Sequence, residues 1–152
     1  MSGLFNQLIA FYESINWPME QVGGDTILSI TYAGKNDQWV FVASTDEANG
    51  IVVMFARAPL ACPPEKYAVM SEFLERANFG MTHGAWVMDR TDGEIRYRVG
   101  VDLNGLELTN ESLRNLTLYT NMTMDHYLPG LHAVIEGGAS ALEAFATVFP
   151  EG

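Results

Sequence analysis

Asp125, His126 and His132 fall in one short stretch, "NMTMDHYLPGLHAVIEGG". They are the side chains best suited to zinc binding or proton transfer, because carboxylates and imidazoles both bind metals and move protons. On a helix, positions 126 and 132 point about 120° apart, so the two imidazoles cannot meet at one ion. Asp125 and His132 share a side but stand roughly 10 Å apart along the axis, too far to ligate one metal unaided. His83 is remote and there is no HExxH pair. Cys62 sits among Ala61, Pro63 and Pro64, with no local charge to favour a thiolate. The glycines form no phosphate-binding loop, and Gly23-Gly24 precedes a strand rather than a helix. These residues are therefore expected to be structural, with no catalytic centre, metal or cofactor site.

The chain has 152 residues, 48% of them hydrophobic and 18% charged. That balance suits one folded domain, spanning 1–152, rather than disorder. A net charge of −11 repels phosphate backbones and anionic headgroups, so neither nucleic acid nor a membrane surface is an expected partner. With no export signal, no long apolar run and a single cysteine, a cytoplasmic location is expected.

Leu4, Leu8, Tyr12 and Ile15 recur at helical spacing after Ser2, a candidate N-cap, and Trp17-Pro18 closes this first helix. From Thr26 the period becomes two: Leu28, Ile30 and Tyr32, then Trp39 to Ala43 after "GKND", then Ile51 to Ala56 after "EANG". A second helix starts at Pro64 and carries Tyr67, Met70, Phe73, Leu74 and Ala77. "MTHGAWVMDRTDGEIRYRVGV" reads as a hairpin; a two-residue Asp92-Gly93 loop would set Asp89 against Arg96 and Trp86 against Val99. Thr109 caps a long helix from Asn110 to Glu136, in which Pro129 must free the carbonyl of Asp125 and predicts a kink or interruption. Ser140 and Glu143 make a capping box for a last helix. The order α-βββ-α-ββ-α-α implies an α+β fold, an antiparallel meander plus hairpin flanked by helices.

Carrying the register through both turns puts Leu28, Tyr32, Trp39, Phe41 and Met54 on one face. Val40, Val42, Ile51, Val53 and Phe55 then share the other, where a wet antiparallel sheet should be polar. Helix two, helix four or another protein must cover them, and Val40, Val42, Val53 and Phe55 are the candidate partner-binding residues. Arg96 and Arg98, with His83, are the alternative, a pocket for a small anion or metabolite.

"FLERANFGMTHGAWVMDRTDGEIRYRVGVD" (73–102) and "LTNESLRNLTLYTNMTMDHYLPGLHAVIEGGASALEAF" (108–145) resemble YbjN-type domains, labelled bacterial sensory transduction regulators. The resemblance rests on Asn-Phe-Gly before the hairpin, Asp-Gly-Glu-Ile-Arg-Tyr-Arg within it and Met-Asp-x-Tyr-Leu-Pro-Gly in the long helix. It implies a fold similar to type III secretion chaperones, frequent homodimers, binding of other proteins and no established catalytic residues. His126 stands where relatives are expected to carry arginine or another basic residue. The leading expectation is thus a non-enzymatic, chaperone-like or regulatory protein-binding module of bacterial signalling, working as a homodimer. A small-anion sensor and an enzyme without a recognisable motif are the alternatives.

Overall fold

The computed structural model of the protein describes residues 3–24 and 26–150. Helix α1 (Gly3–Ser14) is followed by strands β1 (Glu20–Val22), β2 (Ile27–Ala33), β3 (Gln38–Asp46) and β4 (Ile51–Arg57). A 3-10 turn, Pro64–Lys66, leads into α2 (Tyr67–Phe79); β5 (Ala85–Met88), β6 (Ile95–Asp102), α3 (Asn110–Ile135) and α4 (Ala141–Val148) complete the chain. The strands make one antiparallel sheet in the order β1-β2-β3-β4-β6-β5. This is the α+β architecture read from the sequence, with one added edge strand, β1, whose three residues are all exposed. The Ser2 cap lies outside the described residues.

The meander has the register the alternation requires: Tyr32 opposes Trp39, Ile30 opposes Phe41 and Ala43 opposes Met54. The hairpin does not. Trp86 opposes Tyr97 and Val87 opposes Arg96, a shift of two residues that keeps every side chain on its face but changes its neighbour. A two-residue Asp-Gly loop would need positive φ at both positions, whereas only Gly93 has it (φ 79°). The loop instead spans 90–93, closed by the Asp89 N–H donating to the Glu94 carbonyl at 2.9 Å. Asp89 accepts from Thr91, and Asp92 accepts from the Glu94 N–H, so the aspartates cap the turn and leave Arg96 to pair with Glu94. At Gly93 a Cβ would lie 2.0 Å from the Cys62 carbonyl oxygen, so the segment carrying Cys62 packs directly on this turn. Burial pushes the Cys62 thiol up, which disfavours the nucleophilic thiolate.

Two apolar clusters fill the same side of the sheet. Phe5, Leu8, Phe11 and Tyr12 of α1 meet Leu28, Phe41, Ala43, Val52 and Met54. Residues of α2, α3 and α4 meet Trp39, Ala56, Trp86, Ile95, Tyr97 and Val99. Helix α3 joins the two, contributing Leu113 to the first and Met124, Leu128 and Leu131 to the second. It starts at the Thr109 cap and ends one residue short of its expected span. Its buried middle is polar yet satisfied: Thr117 Oγ1 is 2.8 Å from the Tyr12 hydroxyl, and Trp39 Nε1 donates to Asn121 Oδ1 at 2.8 Å.

The helix runs without interruption through Pro129. Proline cannot donate to residue 125, but the Asn36 side-chain amide donates to that carbonyl at 2.9 Å. The Asp125 carboxylate in turn accepts the N–H groups of Lys35 and Asn36, each at 2.8 Å. One residue thus ties the proline site to the tip of the β2–β3 turn. Beside it, His132 Nε2 lies 3.5 Å from Asp37.

Replacing Asp125 with Ala removes two charge-assisted bonds and should cost about 1.5–3 kcal/mol, lowering Tm by roughly 3–12 °C in calorimetry. Gly130→Ala sets two effects against each other. Helix propensity favours alanine by about 1 kcal/mol, but its Cβ would stand 2.5 Å from Phe73 Cζ and 2.7 Å from Val148 Cγ2. Overpacking of this kind costs about 1–3 kcal/mol, so chemical denaturation should show a net loss of stability; a gain would mean that α2 and α4 yield freely.

Candidate functional site

All four helices cover the face that carries Trp39, Phe41 and Met54, so neither α2 nor α4 covers the other face. The intramolecular cover considered for Val40, Val42, Val53 and Phe55 is therefore absent. Strand alternation makes both faces of β3 and β4 apolar, whereas the helices supply apolar side chains to one face only.

The register maps the open face into rows across the strands. The first reads Thr31, Val40, Arg57, Arg96 and Val87; the second Glu20, Ser29, Val42, Phe55, Arg98 and Ala85. The third reads Val22, Ile27, Ser44, Val53 and Gly100, and the fourth Asp46, Ile51 and Asp102. Val40, Val42, Ile51, Val53 and Phe55 are each half-buried by strand neighbours alone. Arginines gather at one end: three of the chain's eight Lys and Arg residues stand in the first two rows. The Arg96 guanidinium carbon lies 4.2 Å from the centroid of the Phe55 ring, a cation–π contact that leaves Arg98 beside it in solvent. Aspartates mark the opposite end. Hydrogen bonds from Asn49 hold the Asp46 carboxyl below the usual carboxylate range, and bonds from Asn104 do the same for Asp102. The face is thus apolar in the middle and acidic at one pole; at the other Glu94 offsets Arg96, and Arg57 and Arg98, without an ion pair among the described residues, supply the positive charge.

The alternative trio does not converge. Arg96 and Arg98 project from the open face, while the His83 ring packs at a tilt against Tyr119, centroids 5.0 Å apart, and its carbonyl accepts from the Tyr97 hydroxyl, on the helical side. The acid and histidines of the long helix also separate. Asp125 binds the β2–β3 turn, His132 lies between Asp37 and Glu136, and the His126 ring packs edge-on against Tyr127 and Phe149 at 5.6 and 5.3 Å. Among the described residues, no group of three or more His, Cys, Asp or Glu is placed to hold a metal ion. No described helix is long and apolar enough to cross a membrane. The exposed Phe79 enters the sequence reading only as the middle residue of the Asn-Phe-Gly motif, because it falls beyond the apolar stripe of α2 and its exposure has no local signal.

Over residues 5–133 the chain matches the YbjN family model, described as "Putative bacterial sensory transduction regulator". No curated protein matches it in sequence. In fold it is similar to a chain from the structure of the HopA1–SchA chaperone–effector complex, at 13% identity and TM-score 0.57, with 84% of this chain and 96% of that one covered. It is also similar to the crystal structure of "YbjN, a putative transcription regulator from E. coli", at 7% identity and TM-score 0.64, covering 91% and 93%. At such identities the two likenesses establish the fold, and the family rests on the sequence match, which takes in the whole sheet and nearly all of α3: the chain belongs to the YbjN family.

Proposed function

We propose that the protein is a non-enzymatic, cytoplasmic protein-binding module that pairs with a second copy of itself through the open sheet face, in a regulatory or chaperone-like role. The observation that carries this reading is the polar-apolar-polar order of that face. An apolar strip of this kind on an antiparallel sheet is costly in water, and sheets bury such faces by packing on each other about 10 Å apart. In a two-fold pair each residue contacts its partner's patch reciprocally, so the same face must complement itself. With the strands of the two copies parallel, the row that holds Arg57 and Arg96 would lie over the same row of the second copy. Antiparallel strands set that row over Ile51 and Asp102, put Phe55 over Val53 and place the long Arg98 side chain over Gly100, which has none. Likeness of fold to a chain of a chaperone–effector complex supports handling of other proteins.

The test is molar mass by light scattering. Val42→Asp with Phe55→Asp should give a folded monomer, with unchanged far-ultraviolet circular dichroism, where the wild type is a dimer. Reversing only the basic pole (Arg57→Asp, Arg96→Asp) or only the acidic pole (Asp46→Arg, Asp102→Arg) should also give monomers, and mixing the two should restore a dimer. Both aspartates titrate below their ordinary value. The charge of the acidic pole is therefore complete well above the ordinary aspartate value and is lost as pH falls through the lower folded values, so pairing should be flat from about pH 5 to about pH 8 and weaken only in acid. A wild-type monomer, or a double variant that unfolds, refutes the face as an interface.

A further inference from the structure

Strand β5 ends the sheet, so one row of its main-chain groups faces away from β6. The hairpin decides which row that is. The Asp89 N–H donates to the Glu94 carbonyl, so alternate residues from Asp89 point into the ladder, and Trp86 and Met88 point outward. The outward groups of Trp86 are already bonded. Its N–H donates to Asn78 Oδ1 at 2.7 Å, and its carbonyl accepts from Asn78 Nδ2 at 2.9 Å. In an antiparallel ladder a facing residue makes the same two-way exchange through its own N–H and carbonyl. The Asn78 side-chain amide supplies both from one planar group. Asparagine is a poor helix former, and its place as the penultimate residue of α2 serves the strand rather than the helix.

An exposed edge invites a strand from another chain, and proteins blunt such edges with charge, proline, shortness or a cover. The opposite edge has the first three: β1 is three residues long, carries Glu20 and lies just after Pro18. Strand β5 reads Ala-Trp-Val-Met, with neither charge nor proline. Among the described residues, no hydrogen bond takes the outward N–H or carbonyl of Met88. The free strand is also complementary to itself. A two-fold axis through Val87 would set Trp86 against the second copy's Met88, and Met88 against its Trp86, each pair exchanging both bonds. Asn78 stands where that Met88 would bond. We propose that Asn78 is an edge guard: its side-chain amide takes the place of a seventh strand's peptide group and keeps β5 from pairing with β5 of a second copy. The guarded edge lies at the end of the sheet and is independent of pairing through the open face.

The test is molar mass by light scattering over a concentration series. It is run in the wild-type chain and in the Val42→Asp, Phe55→Asp variant, so that it reads the edge whether or not the open face pairs. Asn78→Ala should raise the mass, at the highest concentration, to at least twice that of its parent in both. Asn78→Asp also loses the bond to the Trp86 carbonyl, but it puts a charge at the edge and should stay at the parent's mass. A merely structural role for Asn78 predicts lower melting temperatures for both variants and association of neither. Val87→Glu, added to Asn78→Ala in the Val42→Asp, Phe55→Asp background, faces Arg96 across the hairpin and a like charge across the two-fold axis. It should return the chain to the parent's mass. The proposal is overturned if Asn78→Ala stays at the parent's mass, if Asn78→Asp associates equally, or if association survives Val87→Glu. Loss of the far-ultraviolet circular dichroism in both Asn78 variants also overturns it, because Asn78 would then only hold α2 to β5.

Discussion

Both halves of the core close on one helix. Helix α3 crosses the inner face of the sheet, burying Leu113 with the α1 cluster and Leu128 and Leu131 with the α2–α4 cluster. Its position is fixed by polar contacts to three neighbouring elements, Thr117 to Tyr12 of α1, Asn121 to Trp39 of β3 and Asp125 to the β2–β3 turn. Buried groups of this kind are costly unless paired, so each pairing selects one register of helix on sheet. Because this arrangement draws every helix to one side, the opposite side of an equally apolar sheet is left open. The surface features therefore follow from the same packing that makes the core.

Much of this was legible in the residues. Period-two alternation, carried through even-numbered turns, specifies the meander register and hence which valines share a face with Phe55. The caps at Thr109 and Ser140 mark two helix starts correctly, because each satisfies backbone donors within its own four residues. Three features were hidden for physical reasons. Strand β1 is short and exposed throughout, so no apolar period announces it. The hairpin loop is set by side-chain caps at Asp89 and Asp92, which outweigh the two-residue preference of Asp-Gly. The carbonyl freed by Pro129 is satisfied by Asn36, 89 residues away, a tertiary contact that no local pattern contains.

The candidate sites divide the same way. That one sheet face was unusually apolar followed from spacing alone; that no helix covers it needed the fold. The residues that looked most chemical, Asp125 and His132, join the long helix to a turn, and His126 joins an aromatic cluster. None of these three stands in a shared site, whereas the open sheet face, with aspartates at one end and arginines at the other, is a surface suited to a second copy.

If a second copy buries the open sheet face, hydroxyl-radical footprinting over a dilution series will register it at Phe55. Phe79, exposed on the helical side, serves as the internal reference. Labelling of Phe55 should fall as protein concentration rises while labelling of Phe79 stays constant. Equal labelling of Phe55 at every concentration, or protection of Phe79 in its place, would contradict it.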